Sequence, residues 1–201
     1  LAHKNSEFAQ QMNSGGRIVI ASTLLRRLAL AASLAVLVFY PGNAQTPASN
    51  PAPNPLSNKV QRIPIPNSDF PISQGVWVPA NSDTLYLSGS IPPVANPAAP
   101  KGSVQSYGDT EAQTVAVLQR IEQSLDAQKL SLADVVMMHA YLVGDPGKDG
   151  KMDFTGFMAG YTRFFGTKEQ PNKPARSAMQ VAGLAAPGAL VEIEVIAVRP
   201  R

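Results

Sequence analysis

The chain of 201 residues has no cysteine, two histidines and one tryptophan, and only 15% of its residues are charged. Each scarcity excludes a chemistry. Without cysteine there is no disulfide, thiol nucleophile, thiolate metal site or lipid-modified cysteine. His3 and His139 lie far apart, so a histidine-built metal centre is not expected. His139, inside an apolar run, reads as a packed or hydrogen-bonded residue rather than a catalyst. The glycine-containing stretches at 144–150 and 183–188 lack phosphate-loop spacing. The uncharged run Leu28 to Tyr40 has 13 residues, short of the roughly 20 that a membrane-spanning helix needs.

That run follows Arg26 and Arg27 and precedes a Pro-Gly pair and the Ala44-Gln45 junction. A basic segment, a short apolar core and a small-residue junction read as a secretory signal peptide. The two arginines sit between leucines with no further twin-arginine pattern, which favours the general secretory route; Met12 is an alternative start. Residues 1–44 are therefore expected to be a leader, and the exported protein to begin near Gln45. It would be periplasmic or secreted, with no stable membrane insertion after cleavage. Removing the leader takes Lys4, Arg17, Arg26 and Arg27 against Glu7 alone, so 17 basic and 14 acidic residues become 13 of each. The net charge of +3 belongs to the leader, and no nucleic-acid partner is expected of a neutral chain.

Residues 45–61 are rich in Pro, Asn and Ser and read as an extended tether. Residues 62–201 read as one domain. Within it, Gly75–Val78 and Thr84–Ser88 have strand composition with turn residues Asn81-Ser82-Asp83 between them, which predicts an opening hairpin. The proline-rich stretch 91–103 reads as a surface loop. From Asp109 to about Lys129, Ala112, Val115, Leu118, Ile121 and Leu125 recur at helical spacing, with Asp109 as N-cap and Glu111 suited to the positive end of the helix dipole. Val135–Val143 reads as a central strand. Phe154, Phe157, Met158, Tyr161, Phe164 and Phe165 keep the spacing of a second helix's core face rather than of a cofactor site. Arg176–Val181 and Leu190–Val198 read as closing strands. The order β-β-α-β-α-β-β predicts an α+β sandwich with two helices on one face of the sheet, and the other face calls for a symmetric partner subunit.

In the last strand Val191, Ile193 and Val195 point one way and Glu192 and Glu194 the other, because side chains alternate with period two. A solvated strand face explains a lone glutamate well enough. Arg176, in what looks like the adjacent strand, changes the weighing. Its guanidinium can bind a carboxylate through two parallel hydrogen bonds, either one of these glutamates or that of a ligand.

The stretches PARSAMQVAGLAAPGALVEIEVIAV, LYLSGSIP, DTEAQTVAVLQRIEQSL and YTRFFG, in this family's order and spacing from about Phe70 to Val198, resemble the Rid family of reactive intermediate deaminases, also called the YjgF family. The resemblance implies a chorismate-mutase-like fold assembled as a homotrimer with clefts between subunits. It implies cofactor-independent hydrolysis of small enamines and imines of amino acids to 2-keto acids and ammonia. Arg176 would clamp the substrate carboxylate, Glu192 would orient or activate the hydrolytic water, and Ser88 and Gly89, at the family's S-G-Q-I-P motif, would line the cleft. Such a hydrolysis needs a positioned water, a proton acceptor and an anchor for the substrate's charge, and no metal or cofactor.

The chain also departs from the family pattern. Ile72 stands where G-P-Y-S-Q has tyrosine, at the substrate-binding position, so a hydroxyl donor is lost. Ser90 replaces the glutamine, Met158 the usual asparagine and Ala178 the common cysteine, and the loop 144–153 is long. An anchor kept inside an altered polar shell implies a changed ligand. The expected activity is that of an enamine or imine deaminase, with a non-catalytic trimer that binds a small carboxylate or other metabolite as the alternative. Ribonuclease activity, reported for some relatives, ranks last.

Overall fold

The computed structural model describes residues 57–201. The leader expected at 1–44 and tether residues 45–56 lie outside the described residues. Six strands form one mixed sheet: β1 (Gln61–Pro64), β2 (Ser73–Trp77), β3 (Ser82–Ser90), β4 (Val135–Val143), β5 (Ala175–Val181) and β6 (Val191–Pro200). Their spatial order is β1-β2-β5-β4-β6-β3. The apolar run Val135–Val143 is indeed interior, parallel to β5 on one side and antiparallel to β6 on the other.

Two helices cover one face. α1 (Thr110–Asp126) starts where Asp109 accepts a hydrogen bond from the Ala112 N–H at 2.8 Å, with Glu111 in the first turn. Its inward stripe, Val117, Leu118, Ile121 and Leu125, is fully buried; each such side chain contributes about 1.5–3 kcal/mol by leaving water. The helix ends three residues before Lys129, which takes a left-handed backbone (φ 59°) and turns the chain so that Leu130 N–H reaches Leu125 O at 3.0 Å. α2 (Phe154–Tyr161) is capped by Asp153, which accepts from Gly156 N–H at 3.0 Å. It stops at Tyr161, so Phe164 and Phe165 lie in the turn beyond it rather than on the helix, although Phe165 is still buried. The helices press onto Met138, Ala140 and Leu142 of β4 and onto Val191, Ile193, Val195 and Ala197 of β6.

The opening hairpin does not form. β2 pairs with β1 and β5, whereas β3 crosses to the far edge and pairs with β6. Of the expected turn residues only Asn81 lies in the turn, Ser82 and Asp83 already pairing with β6; a local turn signal does not choose the strand's partner, and β6 offers β3 a long antiparallel ladder from Ser82↔Pro200 to Ser90↔Ile193. The sheet also gains β1 at the very start of the domain. Near the end of β3 the register with β6 slips between Leu87 and Ser90, leaving Ser88 and Gly89 in a bulge. Bulges of this kind re-aim side chains. Among the described residues no helix is long and apolar enough to cross a membrane.

Candidate functional site

Strand register decides which side chains can meet. Residues paired across neighbouring strands point to the same face. Met138 pairs with Arg176 on β5 and with Val195 on β6, so Arg176 belongs to the face covered by the helices. His139 pairs with Ser177 and Glu194, and Tyr141 with Met179 and Glu192, so both glutamates belong to the open face. The expectation that Arg176 sits in a strand next to the glutamates is therefore corrected: β4 lies between, and Arg176 and Glu192 project from opposite faces of one sheet. Within a single chain they do not share a cleft, and no ion pair among the described residues includes Arg176.

The Arg176 guanidinium lies in an aromatic cage. Its carbon is 4.2 Å from the ring centre of Tyr161, 5.0 Å from Phe157, 5.6 Å from Phe70 and 5.9 Å from Phe154. Nη2 donates to Met158 Sδ at 3.3 Å, and Nη1 is buried with no hydrogen-bond partner among the described residues. Burial pulls the arginine's pKa down, with Tyr161 opposing. Burial likewise pushes the Tyr161 phenol up, and its hydroxyl donates to Pro71 O at 2.9 Å. Arg62 makes the contrast clear. It too is partly buried, but its nitrogens donate to Lys173 O and Ala133 O, each at 2.8 Å, and tie strands and loops together. Arg62 is satisfied by the fold; Arg176 keeps an unused donor, which is the condition of an anion receptor. Ile72, packed against the core, shares a shallow cavity of about 240 Å³ with Phe70, one wall of the cage.

On the open face, Glu192 folds over Gly89. A β-carbon built on Gly89 would lie 2.0 Å from Glu192 Oε1, so the glycine is what lets the carboxylate rest against the bulge. Ser88, beside it, lines a cavity of about 250 Å³ together with Tyr86, Met137, His139, Glu194 and Ile196. His139 Nδ1 is 2.8 Å from Glu194 Oε1, and the Tyr141 hydroxyl donates to the same oxygen at 3.0 Å. The bond to Glu194, burial, and the charges of Glu194 and Glu192 all raise the Tyr141 pKa. Among the described residues no group of three or more histidine, aspartate or glutamate side chains is placed to hold a metal ion.

Gly89 and Glu192 thus come together at the bulge that also holds Ser88, while Arg176 and Ile72 stand apart on the other side. Sequence reasoning missed Phe70 as a wall of the arginine cage, and Tyr141 and His139 as partners of Glu194. The alternation of His139 and Tyr141 with buried Met138, Ala140 and Leu142 along β4 was the available signal.

The comparisons agree with this architecture. Residues 66–199 match the family model described as Endoribonuclease L-PSP. A RutC family protein of Saccharolobus solfataricus is 39% identical over 127 residues, 63% of this chain and 86% of the relative. A RutC family protein of Haemophilus influenzae is 38% identical over 115 residues, 57% of this chain and 78% of the relative. The crystal structure of a Rid-family protein of unknown function from Yersinia pestis superposes with a TM-score of 0.52 at 25% identity, covering 70% of this chain and 98% of that one. With its chorismate-mutase-like α+β fold, its motifs and these relatives, the chain belongs to the Rid/YjgF family.

Proposed function

We propose that the protein is a cofactor-independent hydrolase of small enamines and imines derived from amino acids, working outside the cytoplasm at clefts between the subunits of a homotrimer. The observation that carries this reading is the division of the site into two halves on opposite faces of the sheet. One half is a cationic anchor, Arg176, with a buried and unused donor. The other is a carboxylate, Glu192, resting on the Ser88-Gly89 bulge. Facing halves from neighbouring subunits supply what imine hydrolysis needs: a clamp for the substrate carboxylate and a base for the attacking water. The open face adds Tyr86 and Met179, exposed at 73% and 41%, as apolar area for a partner to cover.

The test is the rate of 2-ketobutyrate formation from 2-aminocrotonate, generated in situ by a threonine dehydratase, beside the mass of the assembly by light scattering. Acceleration by the wild type, at least a hundredfold weaker in Arg176→Ala with the trimer intact, is the expected outcome. A monomeric mass would dismantle the reading.

A second reading is favoured by one observation. Ile72 packs against the core and brings no hydroxyl to the cleft. A trimer that binds a small carboxylate through Arg176 without turning it over would show saturable 2-ketobutyrate binding and no acceleration.

A further inference from the structure

The hydrogen-bonded group His139–Glu194–Tyr141 has no part in the reading above. Two donors converge on one carboxylate oxygen, at 2.8 and 3.0 Å. With Nδ1 turned to Glu194, the ring keeps Nε2 free of hydrogen bonds among the described residues, and His139 lines the same cavity as Ser88. The rest of that wall is largely apolar, with Tyr86, Met137 and Ile196. Strand register sets Tyr141 opposite Glu192 and His139 opposite Glu194, so His139 and Glu192 are diagonal neighbours on one face. Such neighbours are about 7–8 Å apart as positions on the strands, near enough for both side chains to reach one small substrate.

We propose that His139 is a second catalytic residue of the cleft, exchanging a proton with the substrate nitrogen, and that Glu194 and Tyr141 are positioning residues that hold its ring. This rests on the hydrolase reading. Water adds to the iminium carbon, forming the C–O bond as one of its protons passes to Glu192 and the C=N electron pair settles on nitrogen. Protonated His139 gives its Nε2 proton to that nitrogen. The C–N bond breaks, its pair leaves with ammonia, and the hydroxyl proton of the forming ketone returns to Nε2. Glu192 releases its proton to solvent. Iminium and water are consumed; ketone, ammonia and one proton are produced. Two groups held apart on one face divide work that one carboxylate would otherwise do in sequence.

The experiment compares full-length wild type, Arg176→Ala, His139→Gln, His139→Ala, Glu194→Gln and Tyr141→Phe, each checked for trimeric mass. His139→Gln is expected to lose about a hundredfold in kcat with KM changed less than about threefold. Added imidazole is expected to restore part of the His139→Ala rate, which it cannot do for a structural role. Glu194→Gln and Tyr141→Phe are expected to lose about tenfold, as residues that orient a working side chain do. If His139→Gln keeps wild-type kcat while Arg176→Ala is inactive, the inference falls and the hydrolase stands. If the wild type itself has no turnover, the hydrolase reading falls and takes this one with it. If both His139→Gln and Glu194→Gln come apart into monomers, the cluster is a subunit contact and the inference is overturned.

Discussion

Arg176 carries a charge that its surroundings resist. Burial lowers its pKa, four rings enclose it, and Nη1 has no hydrogen-bond partner among the described residues. A group held so at odds with folding marks a place where stability yields to binding. Arg176→Met is therefore expected to leave the unfolding free energy unchanged or raise it by up to roughly 1 kcal/mol, as an apolar side chain in place of a half-buried charge with an unsatisfied donor, and to abolish carboxylate binding; denaturant titration beside a binding isotherm checks both. Gly89→Ala works the other way. The atoms nearest its new methyl belong to the movable end of Glu192, so stability is expected to change by less than about 1 kcal/mol, while turnover falls more than tenfold because the carboxylate is displaced. At this scale the sequence was informative about identity. Arg176, Glu192 and the Ser88-Gly89 pair are the residues it singles out for the proposed site. What could not be read was who faces whom: alternation fixes a side chain's face relative to its own strand only, and the face of β5 relative to β6 depends on the strand set between them.

Elements whose signals were local came out with their bounds nearly right. The α1 span and its Asp109 cap, and the unbroken β4 run, each declare themselves within a few residues of sequence, although of the expected stripe only Leu118, Ile121 and Leu125 are buried, Ala112 being exposed and Val115 half-buried. β1 did not, because Gln61–Pro64 has little strand character and is held by pairing with β2. The hairpin failed for the same reason in reverse: two good strands and a good turn, but better partners elsewhere. The contact between α1 and α2 has a sharper origin. Gly160 lets the second helix approach so closely that a β-carbon there would lie 2.7 Å from Thr114 Cβ and 3.0 Å from Glu111 O. Gly160→Ala is expected to cost about 1–3 kcal/mol, the usual penalty for overpacking a filled interface, and a lowered thermal midpoint would register it. Asp109→Ala is expected to cost about 1 kcal/mol through the lost cap.

For the whole molecule, the proposed trimer would cover the open sheet face and complete the divided site with one neighbouring copy. Replacing exposed Met179 or Tyr86 by glutamate is expected to lower the assembly mass and the activity together, read by light scattering and by the ketobutyrate assay. Export is a separate proposal: N-terminal sequencing of protein recovered from the periplasm is expected to begin near Gln45, and an intact leader would refute it. The opposed projection of Arg176 and Glu192 has one more consequence. Two dead enzymes can make a live one. If each cleft borrows its anchor from one subunit and its carboxylate from the next, Arg176→Ala and Glu192→Gln subunits unfolded together and refolded as a mixture carry complementary injuries. Random assembly of equal amounts restores about a quarter of the clefts, whereas either variant refolded alone restores none.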